Sequence, residues 1–145
     1  MRRGESGQTS LLIVGFAVVL MMAVAMVVNA SAAYLQRQGL DNLADGAALT
    51  GADAGAEGGD VYAGGLAEER LELLEANARE AVDDYLVRTD AHADYPGLTR
   101  TVHVDPETRS VRVRIAASVD LPLTFPGSPA RATVAAVGSA AVSPE

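Results

Sequence analysis

The sequence predicts an α+β chain with a long N-terminal transmembrane helix, a second, amphipathic helix and a small antiparallel β-sheet. Three observations carry this. Leu11 to Ala33 hold no charged residue in 23 positions. Leu66 to Thr89 place apolar residues at three- and four-residue spacing among many charges. From Leu98 onward the apolar period drops to two, as a strand with one wet face requires.

The first stretch reads LLIVGFAVVLMMAVAMVVNASAA. At the helical rise it spans roughly 35 Å, enough to cross a bilayer core. Arg2, Arg3 and Glu5 are the charges that precede it. Arginine beside a membrane segment favours the cytoplasm, so residues 1–10 are expected inside and Tyr34 onward outside. A cleaved secretory signal is the rival, with Ala30-Ser31-Ala32 offering small residues to a peptidase. The apolar run from Leu11 to Val28 is longer than the ~7–15 residues of such signals, which favours a retained single-pass anchor over residues 11–33.

The helix is expected to continue past the membrane, over residues 34–54. Leu40, Leu43, Ala44, Ala47 and Ala48 form a narrow apolar stripe, and their size suits close packing against a neighbouring helix or sheet. Gly51, Gly55, Gly58, Gly59, Gly64 and Gly65 then mix with Asp53, Glu57 and Asp60. That composition predicts a break from Gly51, with a flexible, acidic, glycine-rich loop over residues 55–65. The acids lack the alternate-position spacing of a calcium loop, so a metal is not expected there.

Residues 66–145 are read as an extracytoplasmic α+β domain. In Leu66–Thr89, Leu66, Leu73, Leu74, Ala78, Ala81, Val82, Tyr85 and Leu86 make an apolar face that should lie on the sheet. Glu75–Arg79 and Asp84–Arg88 are acid-to-base pairs four apart. Thr101–Val104 and Val111–Ile115 flank Asp105-Pro106-Glu107-Thr108 as a β-hairpin, with Arg112 and Arg114 on the wet face. Ser118–Phe125 is expected as a further extended segment at an edge, limited by Pro122. Arg131–Val142 is the last strand.

The chain has 145 residues and a net charge of −8. Past residue 33, nine arginines face eighteen acids, a balance of −9 that disfavours nucleic acid, whose phosphates need clustered Lys and Arg. Cysteine is absent, so disulfides and thiol chemistry are excluded. Lysine is absent too, which removes a phosphate-binding P-loop. Asp90-Ala91-His92-Ala93-Asp94 reads as a solvated polar loop rather than a metal site, and His103 as a strand residue facing solvent. Asn29 is placed near the outer headgroups, with a hydrogen bond to a neighbouring helix as the alternative. No residue carries a catalytic signature; no cofactor and no enzymatic activity are expected.

The order of a polar start, Gly4-Glu5-Ser6-Gly7-Gln8, a membrane helix, and then Leu40-Asp41-Asn42-Leu43-Ala44-Asp45-Gly46-Ala47-Ala48-Leu49-Thr50-Gly51-Ala52 resembles the start of TadE/TadG-type proteins of Flp (Tad) pilus assembly. The resemblance covers residues 1–55; beyond them it rests on the valine-rich hairpin and the Gly138-Ser139-Ala140-Ala141-Val142 ending. It implies a pilin-like, non-enzymatic cell-surface protein that assists assembly of a thin pilus or secretion apparatus. Its partners would be the membrane and other pilus-assembly or pilin-like subunits, in a homo- or hetero-oligomer that packs through the N-terminal helix. Prepilins are usually cut after a glycine, with glutamate at the fifth position beyond. Thr9 and Leu12 stand at that distance from Gly4 and Gly7, so an uncut, TadG-like anchor is expected. The alternative function is a secreted or membrane-tethered binding module.

Overall fold

The computed structural model describes residues 5–61, 67–124 and 127–141. Three helices, α1 (Glu5–Val61), α2 (Ala67–Arg88) and α3 (Ala91–Asp94), precede three strands, β1 (Thr99–Asp105), β2 (Ser110–Asp120) and β3 (Arg131–Ala141). The sheet is antiparallel in the order β1-β2-β3. The α+β expectation therefore holds.

The first helix is 57 residues long, about 85 Å at the helical rise. It does not break at Gly51; it runs through Gly55, Gly58 and Gly59 to Val61, where the composition reads as loop. Packing overrides propensity here. Gly51 and Gly55 are buried, and Ala52 is 1% exposed. A Cβ at Gly51 would lie 3.1 Å from Val82 and 3.3 Å from Val111. The three- and four-residue spacing of the Leu40–Ala48 stripe continues through those residues, so the helix is held by what it touches. Residues 62–65, the rest of the expected loop, and Leu66, the expected start of the second helix, lie outside the described residues.

The second helix folds back antiparallel to the first. Gly51 faces Ala78 and Val82, Gly46 faces Tyr85, and Gly39 faces Tyr95 beyond the end of α2. Ala78, Val82 and Leu86 are buried, but Leu73 is 43% exposed and Leu74 only half-buried. The apolar face lies chiefly along α1 and meets the sheet at β1, rather than lying on the sheet as its apolar spacing suggests. A long helix already covering the sheet leaves α2 a place at its flank. The Arg100 guanidinium forks onto the Asp83 carboxylate and ties β1 to α2 there. Glu75–Arg79 closes at 2.6 Å as expected.

Asp90 takes a left-handed backbone (φ 53°), which aspartate tolerates better than most residues, and ends α2. Ala91–Asp94 then form one helical turn rather than a loop, pinned by buried Ala91. The backbone N–H groups of Ala93 and Asp94 both donate to Asp90 O.

Along β2 buried and exposed positions alternate: Val111, Val113, Ile115, Ala117 and Val119 face the helices, while Arg112, Arg114 and Ser118 face solvent. Val102 pairs with Val113, and Ile115 with Ala136. The hairpin turn is held by Asp105, whose Oδ1 accepts from the backbone N–H of Glu107 (2.9 Å) and Thr108 (3.2 Å). Of the expected segment Ser118–Phe125, the part up to Thr124 is not a separate strand, and Phe125 lies outside the described residues. Ser118, Val119 and Asp120 belong to β2, and Pro122, without an N–H, follows the point where the ladder stops. Leu121 N–H still donates to Ala130 O at 3.0 Å, closing the base of the β2–β3 connection.

Candidate functional site

Two surfaces of α1 concentrate what is unusual in this chain. One is the small-residue stripe beyond the apolar run. The other is the run itself.

Leu40, Ala44, Ala47 and Ala48 are 0% exposed, and Leu43 is 9% exposed, all within the chain's own core. Their neighbours are β3, β2 and α2, so this face of α1 meets its own sheet and helix, not open solvent. The close approach that small residues permit is realised here. At Gly138 on β3, a Cβ would stand 2.2 Å from Ala44 O and 2.5 Å from Asp45 N, so strand and helix touch through their backbones. Gly46 and Gly39 are notches of another kind. The Tyr85 hydroxyl would lie 2.1 Å from a Cβ at Gly46, and the Tyr95 hydroxyl 2.2 Å from one at Gly39. By propensity alone a glycine at either position weakens the helix. Both are seats for tyrosine side chains that arrive from 39 and 56 positions downstream.

The run differs in every respect. Leu11, Phe16 and Met26 are 76%, 66% and 68% exposed, and their large apolar neighbours on α1 are exposed likewise. Within the described residues this is one helix long and apolar enough to cross a membrane. An apolar face of this extent is far beyond what a soluble monomer leaves in water.

At the end of the run, Asn29 makes two bonds that the sequence alone did not announce. Its Nδ2 donates to Leu123 O at 2.6 Å, and its Oδ1 accepts from Leu123 N–H at 3.0 Å. A helix side chain thus pairs with loop backbone as a neighbouring strand would. The partners stand 94 positions apart.

Chemistry-bearing groups are scattered. His92 is exposed on α3 and His103 on the outer face of β1. Among the described residues no group of three or more His, Cys, Asp or Glu could hold a metal ion. Asp105 has its carboxyl held below the usual range by hydrogen bonds from the Thr108 side chain, the Thr108 backbone and the Glu107 backbone, which serve the turn. Asp120 and Arg131 pair at 2.8 Å across the base of the β2–β3 connection, both well exposed.

Residues 7–54 match a family described as Flp pilus-assembly TadE/G-like. The match begins before the apolar run, takes in the whole stripe from Leu40 to Ala48, and ends inside α1. It supports the resemblance on the segment that carried it. No curated protein and no solved structure matches the chain.

Proposed function

We propose that this chain, which bears a TadE/G-like Flp pilus-assembly segment at residues 7–54, is a non-enzymatic, membrane-anchored component of that assembly system. The single observation behind the reading is that the matched segment contains, on one helix, the exposed apolar run. Residues 11–33 are the single-pass anchor, with Met1 to Ser10 cytoplasmic and the helix pair and sheet outside. The arginines at positions 2 and 3 support that orientation.

Retention of the anchor is supported by Asn29. Cleavage at the small residues Ala30–Ala32 would discard Asn29 and both of its bonds to Leu123. It would also cut α1 where it is continuous. The partners are other pilus-assembly or pilin-like subunits. They would meet the exposed face of the membrane run, because the stripe from Leu40 to Ala48 is occupied within the chain.

Two measurements test this. N-terminal sequencing of protein from its native host should give Met1 or Arg2; a start at Ala33 would mean secretion and favour a binding module. Deleting the gene should abolish or thin the surface pili, and an affinity-tagged chain should co-purify with pilus-assembly subunits from detergent. Normal piliation with no such co-purification would sink the assembly role.

A further inference from the structure

The β2–β3 connection holds no charged residue from Leu121 to Ala130. It is fastened to α1 at Asn29, inside a helical stretch that is itself uncharged from Ser6 to Gln36. Two uncharged segments, far apart in the chain, are therefore laid together.

Depth follows from helix geometry. Leu11 to Val28 rise about 27 Å, close to the ~30 Å hydrocarbon core of a bilayer. Asn29 is the next residue, so it stands at the outer edge of the acyl region, and Leu123 stands at the same depth. Leu123 is 41% exposed, Pro122 and Thr124 are exposed, and Leu121 is half-buried.

The backbone bonds at Leu121 and Leu123 are of the kind that environment favours. Non-helical backbone near lipid is unfavourable unless its polar groups are satisfied within the protein. Leu121 N–H donates to Ala130 O, Pro122 has no N–H, and Leu123 N–H and C=O are both engaged by the Asn29 amide. Charge resumes at once outside this stretch, with the exposed Asp120–Arg131 pair at its base.

We propose that the β2–β3 connection is a membrane-contact element: Leu121–Thr124, clamped to α1 by Asn29, rests in the headgroup layer of the leaflet facing the outer domain. The partner is the lipid bilayer itself. An anionic headgroup is not required, since the segment offers apolar side chains and no cation of its own. The domain is then held to the membrane at two places, the helix and Leu121–Thr124, which restrains its tilt. This rests on the anchor reading given above.

The absence of cysteine lets single labels be placed cleanly. The full chain carrying Thr124→Cys, labelled with a small environment-sensitive fluorophore, is reconstituted in phosphatidylcholine vesicles containing lipids with a nitroxide near the top of the acyl chain. Thr108→Cys in the hairpin turn gives the water reference. Val19→Cys, read with a nitroxide at the acyl chain end, reports the span. The expected result is several-fold stronger quenching at 124 than at 108, falling to the level of 108 when Asn29→Ala is added. Strong quenching at 19 with equal, weak quenching at 124 and 108 would overturn the loop contact and leave the anchor standing. Absent quenching at 19 would overturn both. Quenching at 124 that survives Asn29→Ala would overturn the clamp.

Discussion

Gly138 of β3 lies directly over the peptide carbonyl of Ala44 in α1, so close that a Cβ on residue 138 would stand 2.2 Å from that oxygen. The obstacle is backbone on both sides and has no side chain to swing away. Gly138→Ala must therefore push β3 off the helix. Overpacking of this sort costs roughly 1–3 kcal/mol or more. Gly15→Ala, where nothing lies within 4 Å of the added carbon, is the matched control. Thermal unfolding of the full chain in detergent should show a clear drop in Tm for Gly138→Ala and none for Gly15→Ala. Equal melting would mean that strand and helix are not in backbone contact.

Ala47→Leu tests the stripe. Ala47 is fully enclosed by the chain's own elements. Added bulk should destabilise the isolated chain by about 1–3 kcal/mol. Leucine keeps high helix propensity, so a loss cannot be assigned to the helix itself. A chain that melts unchanged in detergent, yet fails to bind its partners in cells, would place this residue at an interface between subunits instead.

The helix pair predicts a contrast between two leucines of α2. Leu86 is 1% exposed and Leu73 is 43% exposed. Leu86→Ala should cost about 2–5 kcal/mol through lost contacts and a cavity. Leu73→Ala should stay within about 0.5 kcal/mol, as surface changes do. Urea titrations of the two variants read this difference, and similar midpoints would contradict the antiparallel packing of α2 on α1.

Asp105 gives the hairpin turn a pH dependence of known sign. Its folded carboxyl is depressed by the Thr108 side-chain hydrogen bond first, then by the backbone N–H groups of Thr108 and Glu107. A depressed acid stabilises the fold above its unfolded pKa, near 3.9, and loses that contribution as pH falls through its lower, folded value. Asp105→Asn keeps a side-chain oxygen acceptor and removes the titration. The pH dependence of unfolding below about pH 4 should be shallower in the variant. Identical acid profiles would show that the turn carboxylate is uncoupled from folding.

What was legible in the chain and what was not divides along one line. Local periodicity revealed both long helices, the hairpin about Asp105, the wet-face arginines Arg112 and Arg114, and a small-residue stripe that wanted a close neighbour. It did not reveal the identity of that neighbour, because Gly138, Tyr85 and Tyr95 reach α1 from distant positions. For the same reason Gly51 and Gly55 read as a break: glycine lowers helix propensity locally, but both are buried, Gly51 against Val82 and Val111, and burial reverses the balance. Ala91 reads as part of a polar loop, since a single buried residue in a one-turn helix leaves no period to detect. Asn29 carries the least local signal of all. One amide in an apolar run carries no mark of a backbone partner 94 positions away.

The unbroken course of α1 has a mechanical consequence. From Glu5 to Val61 there is no hinge, and the sheet is seated on the far half through backbone contact at Gly138. Turning the apolar end about its long axis turns the sheet through the same angle. Leaning that end by a few degrees swings the far tip sideways along a lever about 85 Å long. Helix and sheet are joined by backbone contact, so the azimuth at which the rod is gripped sets which edge of the sheet is presented to whatever stands beside it.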